Sequence, residues 1–254
     1  MPLTPTEKIW MDGELVDWDQ AKIHVLTHSL HYGLGVFEGI RAYATSQGPA
    51  VFRLTDHIAR LFSGAHILGM KMPFSPEEMV EAVKTVVRVN GLDACYIRPI
   101  AYLGYGEMGL NPMLCSVNVS VACWPWGAYL GDEGIANGVR LKVSSWARHD
   151  SRAMPTAAKS TGMYINSSLA KVEAVMAGYD EAVMLTTDGQ VSEGTGENIL
   201  WCATAASSRR RPRASAPSRA SRPTRCARSP AISATRWRRP TCGGRICTWR
   251  TRPG

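Results

Sequence analysis

The last 52 residues of this 254-residue chain contain no aspartate, no glutamate and no lysine. They carry 14 arginines, whereas residues 1–202 carry 15 Lys+Arg against 21 Asp+Glu. The formal charge of +8 is therefore the sum of a body at −6 and a tail at +14. Any attraction to a polyanion that such a charge implies belongs to the tail alone.

Other absences narrow the class further. No apolar run approaches the roughly 18 residues of a membrane span, and the opening MPLTPTEKIW has no apolar leader core. Neither a signal peptide nor a membrane anchor is expected. The four cysteines before the tail (Cys95, Cys115, Cys123 and Cys202) form no CxxC pair or other zinc spacing, so no metal site is expected and a reducing cytoplasm is. No internal repeat is found, which excludes a solenoid.

What is present up to Trp201 is locally consistent. KIWMDGELV predicts a hairpin turning at Asp12-Gly13. LTDHIARLFSGAHILGM puts Leu54, Ile58, Leu61, Ala65 and Leu68 on one helical face. SPEEMVEAVKTVVRVNGL opens with a capping box of Ser75 and Glu78, has Pro76 at the first helical position, and stops at Asn90-Gly91. CSVNVSVAC alternates Val117, Val119 and Val121 with polar partners, the pattern of a half-buried strand.

CWPWGAYLGDEGIANG lacks periodicity and predicts a connection between two domains. A strand in VRLKVSSW follows, then a helix in GMYINSSLAKVEAVMAGY with Ile165, Leu169, Val172 and Met176 on one face and Gly178 at its end. EAVMLTTDGQVSEGTGENIL predicts a hairpin at Asp188-Gly189. The expected class is α+β or α/β. The expected organisation is a small domain over 1–125, an interdomain loop over 126–138, and the start of a larger domain over 139–201.

Several polar residues stand in unusual company. Lys159 is the one lysine of PTAAKSTG, among small uncharged neighbours. Desolvation there would lower its pKa and make the amine nucleophilic, although isolated lysines are mostly solvated. Glu193 precedes a Gly-rich turn where backbone can approach a ligand, and a carboxylate there can pair with a cationic ring nitrogen; an ordinary turn glutamate reads the same way locally. Arg60 lies beside an apolar helical stripe, placed either to hold a phosphate or to face water. Arg98 sits inside the apolar, aromatic strand CYIRPIAYLGYGEMGL and needs a partner. Trp124, Trp126 and Tyr129 suit a core and a pocket equally.

Six stretches together resemble the class IV (fold type IV) pyridoxal-phosphate aminotransferases, and within them the branched-chain group: HSLHYGLGVFEGIRAY, HIARLFSGAHILGM, YIRPIAYLGYGEMGL, PWGAYLG, PTAAKSTGMYINSSLAKVEA and VSEGTGENIL. They stand in the family's order between about Ile9 and Leu200. The resemblance implies a two-domain fold whose larger C-terminal domain is cut short here, and pyridoxal 5'-phosphate as cofactor. It implies that Lys159 links covalently to the cofactor and carries the proton of transamination. Glu193 would pair with the pyridine nitrogen, Arg60 with the phosphate, and Tyr164 with the phenolic oxygen. Tyr32, Phe37, Trp126, Tyr129 and Tyr164 would line an apolar side-chain pocket, with Arg98, helped by Tyr32 and Tyr129, taking a distal carboxylate.

The implied reaction exchanges amino groups between leucine, isoleucine or valine and 2-oxoglutarate, in a homo-oligomer. The partners are then small amino and 2-oxo acids, with no specific nucleic acid and no membrane. D-amino-acid aminotransferases and a lyase of folate synthesis (aminodeoxychorismate lyase-like) share the family and are alternatives. A different class is a non-catalytic module with a basic nucleic-acid-binding arm.

That last alternative depends on the tail, and the genetic code speaks against it. Residues 203–254 use amino acids with G/C-rich codons and show no apolar periodicity. Shifting the frame by one base from Trp201 permits VRDGRIITPP, from Ala220 to Thr235 permits ITPDTVRAIARDLGY, and from Arg245 to Thr251 permits DLYLAD. All three are similar to the family's continuation, in its order. Residues 202–254 are therefore read as an out-of-frame translation without ordered structure, and the literal chain is expected to be inactive.

Overall fold

The computed structural model describes residues 3–127 and 131–200; Tyr129 and the arginine-rich tail lie outside the described residues. The chain divides into two compact units. The first runs from the N-terminus through Trp126 and takes in Ala158–Met163; the second holds Gly127–Ala157 and continues from Tyr164.

In the first unit the strands are β1 (Lys8–Met11), β2 (Glu14–Asp17), β3 (Gly35–Phe37), β4 (Ile40–Thr45), β5 (Gly48–Val51), β6 (Cys95–Leu103) and β7 (Val117–Trp124). The helices are α1 (His28–Tyr32), α2 (Leu54–Ile67) and α3 (Pro76–Val89). The strands form one antiparallel sheet in the order β2-β1-β7-β6-β4-β5, with β3 added along β6. Asp12 and Gly13 adopt positive φ at the tip of the first hairpin, as the Asp-Gly pair predicts. The Asp12 carboxylate does more than turn the chain. It accepts from the Val119 amide and from Asn118 Nδ2, both at 2.7 Å, and so pins the hairpin to β7.

Ile58, Leu61 and Ala65 of α2 are buried together with Met79, Val83 and Val86 of α3 and Ile97, Val119 and Val121 of the sheet. Each large apolar side chain buried here contributes about 1.5–3 kcal/mol. The capping box of α3 is formed: the Glu78 amide donates to Ser75 Oγ at 3.2 Å and the Ser75 amide donates to Glu78 Oε2 at 2.6 Å. Asn90 marks the helix end, and its side chain also accepts from the Lys8 amide and donates to the Lys8 and Val86 carbonyls. A residue expected only as a stop signal thus ties α3 to the sheet.

The second unit contains α4 (Gly131–Asn137), β8 (Leu141–Val143), α5 (Tyr164–Met176), β9 (Glu181–Leu185) and β10 (Val191–Gly194). β8 and β9 are parallel, and β9 and β10 form the hairpin expected around Gly189, whose φ is +80°. Parallel pairing with α5 between the strands is an α/β element, while the first unit is α+β.

Two expectations change. The stretch 126–138, expected to be irregular connection, contains α4. Residues 158–163, expected in the larger domain, belong to the first unit, because backbone bonds stitch them to β3: Phe37 N–H to Lys159 O at 3.1 Å, and Gly162 N–H to Gly33 O at 3.0 Å. The approach is so close that a Cβ on Gly33 would lie 3.0 Å from the Gly162 Cα, at a φ of +70° that itself favours glycine. The apolar stripe expected on α5 is present, on the side that the helix leaves exposed. Its buried residues are Asn166, Ser167, Ala170 and Ala174, while Ile165 is 67% and Met176 83% exposed and Leu169 and Val172 are also exposed. The small side chains let the helix lie close on β8 and β9, which turns the large ones outward.

Candidate active site

In the first unit two of the predicted residues, Lys159 and Arg98, lie against the ring of a third, Phe37. Phe37 ends β3, buried, and its amide holds the Lys159 carbonyl. Lys159 Nζ lies 5.0 Å from the Phe37 ring centroid, and Arg98 Cζ lies 4.7 Å from the same centroid. Arg98 reaches this point from the middle of β6. Its guanidinium is also 5.3 Å from the Tyr96 ring and 5.9 Å from the Trp124 ring, and Nη2 donates to the Tyr96 hydroxyl at 3.3 Å. Buried Arg98 Nε has no hydrogen-bond partner, and no carboxylate among the described residues pairs with this side chain. Leaving such a buried donor unmet costs about 1–3 kcal/mol.

Trp126 joins the group edge-on to Tyr96, centroids 4.6 Å apart, and its carbonyl accepts from Arg41 Nη1 at 3.3 Å. Gly39 is required beneath this wall, because a Cβ there would stand 2.0 Å from the Tyr96 hydroxyl. Tyr32 closes α1, exposed, with its ring 4.6 Å from that of His28. Tyr129 lies outside the described residues.

Arg60 is not a solvated helix arginine. Its Nε and Nη2 each lie 2.5 Å from the two oxygens of Glu38, and His57 Nδ1 is 2.9 Å from Glu38 Oε2. Glu38 is fully buried. Burial works to raise its pKa, but hydrogen bonds from Arg60 and His57 outweigh that and hold the carboxyl below its ordinary value. Sequence reasoning missed this residue, though the signal was there: a lone carboxylate in the apolar run GVFEGI needs a cationic partner.

The second unit carries Glu193 and Tyr164. Tyr164 begins α5, half-buried. Glu193 stands on β10 beside a shift in register between Val191 and Glu193, a bulge of the kind that re-aims a side chain. Arg148, also missed, holds Glu193 Oε1 with its Nε at 2.6 Å while Nη1 donates to Ser167 Oγ at 2.8 Å. The second unit holds another unforeseen cluster. Glu181, buried, takes Lys171 at 2.7 Å and the Thr195 hydroxyl at 2.7 Å. Burial and then the Glu181 charge push the Glu197 carboxyl up to about 7. Among the described residues no group of His, Cys, Asp and Glu is arranged to hold a metal ion, and no helix is long and apolar enough to cross a membrane.

The chain is similar to proteins of known class. The Amino-transferase class IV profile matches residues 35–206. A branched-chain-amino-acid aminotransferase of Pseudomonas aeruginosa is 52% identical over 192 residues, covering 76% of this chain and 62% of the relative. The crystal structure of the Escherichia coli branched-chain amino acid aminotransferase superposes with a TM-score of 0.73 at 44% identity, over 75% of this chain and 63% of that one. The T.th. branched-chain amino acid aminotransferase complexed with N-(5'-phosphopyridoxyl)-L-glutamate gives 0.71 at 51% identity, over 75% of this chain and 62% of that one. The chain thus spans less than two thirds of the length of these relatives. With the profile covering more than half of it, the chain belongs to the amino-transferase class IV family.

Proposed function

We propose that the intact protein is a pyridoxal-phosphate-dependent aminotransferase that exchanges the amino group of branched-chain L-amino acids with 2-oxoglutarate, giving branched-chain 2-oxo acids and L-glutamate. The observation that carries the reading is Arg98, a cation walled by Phe37, Tyr96 and Trp124 with a buried, unpartnered Nε. Such a pocket would accept an aliphatic side chain against its rings and a distal carboxylate on the Arg98 guanidinium, which is what alternating between leucine and glutamate demands. The relatives' names and the phosphopyridoxyl-glutamate complex of one of them support the same assignment.

The donor set fits the cofactor: a lysine amine beside an aromatic ring, an arginine fixed by a buried carboxylate, and a carboxylate on a bulged strand held by an arginine. When bound, pyridoxal phosphate supplies a ring that takes up the electrons left behind when the substrate's Cα proton departs. Lys159 would hold the cofactor, and its amine would take up the proton that leaves the substrate's Cα. Its backbone is held by Phe37, so the amine works from a fixed root. Glu193 keeps a proton on the ring nitrogen, with Arg148 fixing the carboxylate. Arg60 would hold the phosphate and Tyr164 the phenolic oxygen. Tyr32, Trp126 and Tyr129 complete the substrate pocket. A cytoplasmic homo-oligomer is the proposed setting, and a frame slip after Leu200 is proposed as the origin of the arginine-rich tail.

The test is Arg98→Ala in the full-length protein with its frame restored. Loss of a buried charge partner costs about 2–5 kcal/mol, so kcat/KM for glutamate and 2-oxoglutarate falls by roughly 30-fold or more while leucine changes far less. Equal loss for both substrates would make Arg98 a structural residue and remove the dual-substrate reading.

A further inference from the structure

We propose that Glu38 is a positioning residue for the cofactor phosphate, acting through the guanidinium of Arg60. The inference rests on the reading of Arg60 as the phosphate ligand and goes beyond it by assigning the residue that aims it.

Glu38 directly follows β3. Its amide donates to the Pro99 carbonyl on β6 at 2.9 Å, so its backbone is locked into the sheet, and its side chain is wholly buried. Arg60 and His57 are three residues apart on α2 and therefore share the face that meets it. Both Glu38 oxygens are engaged by Arg60, at Nε and at Nη2, and one is shared with His57.

A guanidinium is a flat fork with five N–H donors, and two parallel bonds to one carboxylate fix its plane. The side chain behind it is otherwise free to sample many rotamers. Glu38 removes that freedom before any phosphate arrives, and the plane it imposes sets where the Nη1 edge points. A buried charged pair of this kind is a poor way to gain stability, because desolvation offsets most of the attraction. Its value here is directional. The same short segment also holds Lys159, since the residue before Glu38 is Phe37, whose amide binds the Lys159 carbonyl. One stretch of backbone thus sets both the attachment lysine and the phosphate arginine.

The experiment compares binding of pyridoxal 5'-phosphate and of pyridoxal, which lacks the phosphate, to the frame-restored full-length apoprotein by spectroscopic titration. For Glu38→Gln the preference for the phosphorylated form should fall about 10–100-fold, the range found when a residue that orients a ligating side chain is removed. Pyridoxal affinity should hardly change. Glu38→Asp keeps the charge but shortens the arm, and it should show a loss of the same kind. Equal weakening of both ligands, or full phosphate preference in Glu38→Asp and Glu38→Gln, would overturn the proposal.

If Glu38→Gln does not fold, Arg60→Gln and the double variant Arg60→Gln/Glu38→Gln replace it, because the double variant leaves no unpaired member of that ion pair. Their phosphate preferences should be equal, since Glu38 acts only through Arg60; a further loss in the double variant would contradict the proposal. An unchanged preference in Arg60→Gln alone would instead remove Arg60 as the phosphate ligand, and the role of Glu38 with it.

Discussion

The first unit buries a cluster of twenty-one apolar residues, whereas the second, among the described residues, buries four, three of which are alanines. The second unit nevertheless has large apolar side chains to bury, and they lie outward along α5. The contrast teaches that periodicity identifies a face that wants a partner without identifying which partner. In the first unit α2 and α3 find theirs in the sheet between residues 8 and 124. In the second, the sheet takes the small face of α5, and the large face remains uncovered among the described residues.

The largest effect expected from this contrast is on folding itself. Five uncovered side chains on α5 (Ile165, Leu169, Val172, Val175 and Met176) at about 1.5–3 kcal/mol each are comparable to the ~5–15 kcal/mol that holds a domain together. The chain as written should aggregate or be degraded on expression. A one-base correction near codon 200 should give a soluble, yellow protein, checked by size-exclusion chromatography and visible absorption. A stable oligomer with stoichiometric cofactor from the uncorrected chain would break the comparison and make the arginine-rich tail a genuine part of the protein.

A smaller effect sharpens it. In the frame-restored protein Ile97→Ala, in the sheet core, should cost about 2–5 kcal/mol by denaturant unfolding. Ile165→Ala and Met176→Ala should move toward that range if the restored segment covers α5. Values within about 0.5 kcal/mol, as for ordinary surface positions, would mean that this face is solvent surface in the intact protein as well.

The smallest effect is a pH dependence peculiar to the second unit. Glu197 has its carboxyl raised to about 7 in the folded state, against the ordinary 4.5. The folded state then binds more protons than the unfolded one between these values, so its stability falls as pH rises through that window. Glu197→Gln should flatten this slope in thermal melts between about pH 4.5 and 7. An unchanged slope would assign it to other groups.

Much of the first unit was legible in the sequence because its signals are local. Ser75-Pro76-Glu78 and Asp12-Gly13 act within a turn of themselves, and Val119 and Val121 alternate on one strand. The supporting partners were not legible. Glu38 meets Arg60 across 22 residues, and Arg148 meets Glu193 across a strand and a helix. Thr161 donates to the Gly33 carbonyl from 128 residues away. Such pairs depend on tertiary register, which no single window of sequence contains. Which face of α5 the sheet takes was not legible either: hydropathy ranks Ile165 and Met176 above Ala170 and Ala174, but a close helix–sheet approach selects the smaller residues.

The central claim is that Lys159 is the residue through which this chain binds its cofactor and moves the substrate's proton. The most direct measurement is the visible spectrum and single-turnover rate of Lys159→Ala in the frame-restored protein. The expected result is loss of the visible absorption of lysine-bound cofactor and of nearly all transamination, with folding retained by circular dichroism. Normal turnover in that variant would contradict the claim.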